Sequence, residues 1–244
     1  MVNSQGTWTQ TQDTDVPTTG GFATSLKMDN TTADASPAAD DYLYIQQTLE
    51  GQNLQHLKKG TASAESLTVS FWVKATKTGT NIVELYDKDN TRHICQSYTI
   101  SSGDTWEQKE VTFAGDTTGA FTNDNGESLT VLFWFGAGST YTSGTLATSW
   151  ASVSGAAANR AVGQVNHADS DSNNFWITGI QLEASSSATD FEFLPYDVNE
   201  QRCLRYYWIH TSTEAFYAPY ASNDSYNVYA NNFPVPMRTA PTCT

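Results

Sequence analysis

The sequence predicts an all-β protein: a β-sandwich followed by a smaller C-terminal β-rich segment. Short stretches alternate apolar and polar side chains with the period of two that a strand with one buried face requires. Turn signals separate these stretches, and no helical pattern alternates with them as a βαβ unit would demand. The composition agrees. Across 244 residues, seven Trp, twelve Tyr and eleven Phe can fill a core, only 16% of residues are charged, and Thr, Ser, Asn and Gly are abundant.

Residues 1–40 are polar, lack a continuous pattern and read as an irregular N-terminal part, although Phe22–Met28 has the character of a short strand. Asp41–Gln46 reads as a strand. In Gln47–Gly60, Leu54 and Leu57 mark one helical turn that Gly60 ends. Leu67–Lys74 places Leu67, Val69, Phe71 and Val73 on one face and Thr68, Ser70, Trp72 and Lys74 on the other. Thr80–Tyr86, Arg92–Ile100 and Trp106–Phe113 follow as strands, with turns at Asp87–Asn90 and Ser101–Asp104. Leu129–Phe135 is almost wholly apolar, which predicts burial on both faces.

The loop-rich stretch Gly136–Asp171 is long for a compact domain, and such loops are either functional or packed on a neighbour. Asn174–Glu183 alternates again, with one slip at Gly179 that predicts a bulge. It reads as the last core strand, so the sandwich domain is assigned to residues 1–184. Residues 185–244 form a Tyr-rich C-terminal segment that reads as the start of a second β domain. Within it, Asn199–Tyr207 has the pattern of a short helix turning Cys203 and Leu204 inward. From Trp208 onward the pattern is strand-like, and Phe233–Pro241 is too proline-rich for a central strand and reads as an extended edge or arm.

The formal charge of −14 argues against binding to phosphate backbones and anionic membranes, both of which need Lys and Arg. No apolar run reaches the roughly 20 residues of a membrane span. The N-terminus shows no secretory pattern, so cytosolic synthesis is expected, and Asn30 and Asn223 read as chance glycosylation matches. Cys95, Cys203 and Cys243 lack metal-ligand spacing and read as free thiols.

Enzyme signatures are absent. His56, His93, His167 and His210 share no i,i+4 spacing, and there is no nucleophile-elbow, phosphate-loop or zinc pattern. Acidic pairs such as Asp40/Asp41, Glu107/Glu110 and Asp124/Glu127 resemble glycosidase carboxylates only as any acidic chain would. Asp169, Asp171 and Asn173 mimic a calcium loop, but Asn174 replaces the turn glycine and Ile180 the bidentate Glu, which excludes an EF-hand. No cofactor is expected beyond a looser calcium site, for which Asp87 and Asp89 are the candidate ligands.

Aromatic residues are the stronger candidates. Trp72 sits on the polar face of its strand, and with Trp106 it is the expected sugar-stacking platform. Tyr206, Tyr207, Trp208, Tyr217 and Tyr220 cluster with few charges, the composition of a subunit-interface core.

Ser66–Ala75, Thr105–Phe113 and Phe175–Glu183 resemble, in order and spacing, strands of carbohydrate-binding-module-like jelly rolls. The chain departs from them at Thr178-Gly179, where many such modules carry acidic residues. Gln12–Pro17, Gly21–Met28, Glu50–Gln55, Gly115–Gly119, Ile177–Glu183, Cys203–Tyr207 and Phe233–Pro241 together resemble a family of structural proteins from tailed phages, especially marine ones. That resemblance implies a non-enzymatic virion protein, a fibre or surface-displayed component, made in the host cytoplasm and adhering to host-cell glycan. It implies a homotrimer among other virion proteins; the charge and the lack of a long apolar run lead to the expectation of no nucleic acid and no membrane insertion. A purely architectural capsid-decorating or head–tail assembly role is the alternative, and a tailspike-type glycan-degrading enzyme stands behind both.

Overall fold

The computed structural model describes residues 1–209, 233–240 and 242. The chain forms two compact units, Met1–Phe191 and Glu192–Thr244. The small-residue stretch after Glu183 belongs to the first.

The first unit is a jelly-roll β-sandwich with eleven strands: β1 Val2–Asn3, β2 Thr7–Asp13, β3 Ser25–Thr32, β4 Tyr42–Glu50, β5 Leu67–Ala75, β6 Gly79–Asp87, β7 Arg92–Ile100, β8 Glu107–Phe113, β9 Glu127–Ala137, β10 Ala151–Ser152 and β11 Asn174–Glu183. One sheet runs β1-β4-β9-β6-β7-β10 and the other β2-β3-β11-β5-β8. The pairings are antiparallel. Inward residues meet between the sheets. Phe71 of β5 lies edge-on to Phe133 of β9 at 5.0 Å between centroids, and Phe135 of β9 to Phe175 of β11 at 4.4 Å. Val69, Val73, Leu85, Ile94 and Phe113 complete this layer without solvent contact.

The strongly alternating strands lie where their patterns put them. β9 is buried along nearly its whole length, because the Gly138–Ser170 connection folds back over its outer side. β11 occupies the middle of its sheet, between β3 and β5, and its register shifts between Thr178 and Gln181. Gly179 makes that shift with φ +59°, a left-handed conformation that costs other residues about 1–2 kcal/mol. A Cβ there would also meet the Phe22 ring at 2.4 Å.

Residues 1–40 are not irregular: they contribute β1 and the β2–β3 hairpin. The hairpin escaped the hydrophobic pattern because β2 buries only Trp8 and is otherwise threonine, glutamine and aspartate. Leu54 and Leu57 are buried at two successive 3-10 turns, the second of which ends at Lys58 (φ +51°), two residues before the likewise left-handed Gly60 (φ +84°). A four-residue helix, α1, spans Ser139–Thr142.

In the second unit the described secondary structure is one helix, α2, Tyr196–Leu204. It starts three residues before the sequence pattern suggests, after Pro195. Cys203 on it is exposed rather than turned inward. Residues 233–240 carry neither strand nor helix, and most of the stretch read as strands from Trp208 onward lies outside the described residues. No described helix is long and apolar enough to cross a membrane.

Two polar groupings hold loops onto the sandwich. Lys59, 5% exposed, pairs with Asp87 at 2.6 Å and Asp116 at 3.1 Å, and Arg92 closes on Asp116 at 2.7 Å. Burial raises the Asp116 carboxyl, but Arg92, the Thr118 amide and Lys59 together hold it below its ordinary range. At one end of the sandwich His167 is fully buried against Phe135 and Phe175, with Nε2 2.7 Å from Asn81 Oδ1. Burial, aided by Lys77, lowers its pKa to about 3.

Gly179→Ala should lower stability by about 1–3 kcal/mol, the left-handed cost plus displacement of Phe22, measured by urea unfolding. Because His167 stays neutral when folded and takes up a proton near pH 6.5 when unfolded, its contribution is full above that pH and erodes as pH falls toward 3. His167→Gln should therefore flatten the stability profile between pH 6 and 4; an unchanged slope contradicts the assignment.

Candidate functional site

A candidate ligand surface lies on the outer face of the six-stranded sheet. Alternation along β4 turns Leu43 and Ile45 inward, so Tyr42, Tyr44, Gln46 and Thr48 point outward. Register continues this face across the sheet: Tyr44 pairs with Trp134, Gln46 with Leu132 and Thr48 with Thr130. Glu84 lies opposite Leu132 and Tyr86 opposite Thr130, and next come Cys95 and His93 of β7.

The segment from Gly138 to Ser170 covers part of this face. Trp134 is fully buried with Ile82, Cys95 and Ala161, and Tyr141 from α1 packs on it at 5.5 Å. Tyr42 stacks on Tyr44 at 5.6 Å and meets Tyr141 at 6.1 Å with planes 88° apart. Tyr42, Tyr44, Tyr86 and Tyr141 stay half-buried at the margin and Gln46 is exposed.

Arg160 enters this aromatic border from the covering segment. Its guanidinium carbon lies 5.5 Å from the Tyr86 ring, 5.3 Å from Trp134 and 6.0 Å from Tyr141. Its Nε donates to Glu84 Oε1 at 2.8 Å, while Nη1 and Nη2 make no hydrogen bond to the described residues.

Glu84 is wholly buried. Oε2 accepts from Trp134 Nε1 at 2.9 Å, and Oε1 accepts from His93 Nδ1 at 3.1 Å as well as from Arg160. Burial pushes its carboxyl up, but His93 and Arg160 outweigh burial and hold it below the usual range. Cys95 Sγ lies 3.8 Å from His93 Nδ1, and burial beside Glu84 pushes its thiol far above the reactive range. Glu84, His93 and Cys95 form the one group of three metal-capable side chains among the described residues. Arg160 already supplies the positive charge there. With no solvent access and a protonated thiol, the trio anchors the covering segment; it has neither an open ligand position nor a nucleophile. Burial also raises the Tyr44 phenol, keeping it a neutral donor.

The sequence candidates fall elsewhere. Trp72 and Trp106 are half-buried on the outer side of the five-stranded sheet, which residues 13–24 and 185–188 of the chain itself overlie. Trp106 Nε1 donates to Asp15 at 2.9 Å, and a Cβ on Gly20 would stand 3.5 Å from Trp72 Nε1. Asp87 is buried against Lys59 and Asn90, and Asp89 accepts from the Thr122 amide at 3.0 Å. Tyr206 and Tyr207 are exposed, and Trp208 packs edge-on to Phe233 at 5.6 Å. Tyr217 and Tyr220 lie outside the described residues.

Sequence reasoning found the β4 strand but not its tyrosines as a pair. The signal was there: Tyr42-Leu-Tyr44 puts two rings on one strand face. Arg160 left no local signal.

No protein-family model matches the chain, and no curated protein matches it. Among solved structures, the enzymatically active domain of tailspike protein 4 from bacteriophage CBA120 is similar over 74% of this chain and 19% of that one, at 16% identity and TM-score 0.39. The present chain thus spans about a fifth of that protein's length. A family 11 carbohydrate-binding module from Clostridium thermocellum, in complex with a β-1,3-1,4-mixed-linked tetrasaccharide, is similar over 77% of this chain and 89% of its own, at 12% identity and TM-score 0.37. A Bacteroides thetaiotaomicron protein described as a putative sugar-binding protein aligns over 75% of this chain and 84% of its own, at 12% identity and TM-score 0.37. At these scores the likeness bears on no residue of the site.

Glu84→Gln should cost roughly 3–5 kcal/mol, because it leaves a largely buried guanidinium without its counter-charge. Glu84 is held low when folded, so its contribution is present above about pH 4.3 and is lost as pH falls through its folded value. The variant's acid limb should be shallower than wild type's in a denaturant series.

Proposed function

We propose that this chain is a non-enzymatic virion component that adheres to host-cell glycan through the tyrosine-bordered face of its six-stranded sheet. One observation carries the reading: the half-buried Tyr86 and Tyr141 flank an arginine held in place by Nε, with Tyr42 and Tyr44 stacked alongside, and Nη1 and Nη2 make no hydrogen bond to the described residues. Aromatic faces stack on the C–H surface of a pyranose, and Arg160, Gln46 and the phenols supply hydrogen bonds to its hydroxyls. The burial of Cys95 and His93 and the raised pKa of the Cys95 thiol support a non-catalytic role.

The virion setting rests on the sequence resemblance to tailed-phage structural proteins. Synthesis in the host cytoplasm is consistent with the free thiols of Cys95 and Cys203. Self-association as a trimer is supported by the exposed aromatics of the second unit, Tyr206 at 52% and Tyr207 at 70%. Those same rings favour a second reading, an architectural component whose contacts are other virion proteins.

Titration of soluble bacterial surface polysaccharides and mixed-linkage β-glucan by calorimetry separates the two. Glycan adhesion predicts saturable binding that the paired change Tyr44→Ala with Tyr86→Ala weakens at least tenfold, about 1.4 kcal/mol. Trp72→Ala should leave the affinity within twofold. Loss with Trp72→Ala and not with the tyrosine pair, or no binding by any glycan, rejects this face as the site.

A further inference from the structure

The two sheets gape at one corner of the sandwich. β1 covers only Leu43 and Tyr44 of β4, and β3 pairs with β11 only over Asn174–Ile177, before the Gly179 bulge. Between these edges opens a cleft of about 480 Å³. Its interior is apolar: Leu26, Ile45, Val69, Phe133 and Leu182 line it, with Ile180 at the entrance, 42% exposed. Protein interiors are close-packed and leave few voids. An apolar opening of this size falls in the range of small-ligand sites, roughly 300–1,000 Å³.

Two side chains at its mouth break the strand pattern. Gln47 pairs with Val131, on the inward face that also carries Ile45. Gln10 pairs with the fully buried Met28, so it too stands on an inward face. Both glutamines line the cleft, both are exposed, and neither amide makes a hydrogen bond to the described residues. A polar residue on an inward row is a patterning violation, and such violations gather where a protein binds something. No charged side chain lines the cleft, although the chain as a whole carries −14.

We infer that this cleft is a second binding site, meeting the tyrosine face at Gln46, for a neutral amphiphile. An aliphatic chain fills the space between the sheets, and a hydroxylated head group meets the amides of Gln10 and Gln47. No lining side chain carries a charge to pair with an ionic head, although Met1, which bears the amino terminus, is among the lining residues, and the two uncharged amides offer a hydroxyl both donors and acceptors.

Octyl glucoside below its micelle concentration is the probe, with Nile red as a fluorescent reporter. Nile red should bind saturably at one site per chain, and octyl glucoside should displace it while free glucose does not. Leu49→Trp, which fills the mouth, should weaken both ligands at least tenfold. Ile180→Trp, at an exposed position that folding tolerates, should do the same, and Gln47→Leu should weaken octyl glucoside while sparing the dye. Tyr44→Ala should change neither. Absence of saturable dye binding overturns the inference. So does unchanged affinity in both tryptophan variants with native circular dichroism, or displacement by glucose alone.

Discussion

A carboxylate without solvent stands in the middle of an outer sheet face, and the architecture above it follows from that. Glu84 cannot remain charged there unpartnered. Arg160, the Trp134 indole and His93 each supply a hydrogen bond, and Arg160 lies 76 positions along the chain. Satisfying one buried charge therefore fixes where the long Gly138–Ser170 connection lies. That placement buries Trp134, seats Tyr141 beside it and leaves the Tyr42, Tyr44 and Tyr86 border half open. An ion pair of this kind adds little net stability compared with an apolar filling. Its effect is positional: it puts a guanidinium, two of whose nitrogens make no hydrogen bond to the described residues, among aromatic rings.

The opposite sheet solves a similar problem differently. Residues 13–24 lie over its outer side, and Lys74, 9% exposed, sits 4.2 Å from the Trp176 ring and pairs with Asp15. Trp106 and Trp176 donate to Asp15 and Asp13; Trp176 holds the Asp13 carboxyl below its ordinary range, and Lys74 followed by Trp106 does the same for Asp15. The aromatic residues of this face are thus spent on holding a chain segment. At the corner beyond Gly179 the layers part, where the bulge ends the β3–β11 pairing.

Much of the fold was legible in the sequence. β5, β7 and β9 followed from alternation or unbroken apolarity, and Gly179 announced the bulge of β11. The β2–β3 hairpin did not, because Thr7–Asp13 buries only Trp8 and so lacks the apolar beat that alternation reads. The site was less legible for a physical reason. Trp72 looked exposed because it shares a strand face with Thr68, Ser70 and Lys74, yet those polar residues are themselves buried beneath distant parts of the chain. Tyr42 and Tyr44 were visible as a pair on one face. Their importance depends on Arg160 and Tyr141, which no local spacing joins to them.

The crystal structure of a glycan complex tests the central claim most directly. The account predicts sugar rings against Tyr44 and Tyr86, with a hydroxyl within hydrogen-bonding reach of an Nη group of Arg160. A sugar seated instead on the five-stranded sheet beside Trp72 and Trp106, with the tyrosine face bare, would contradict it.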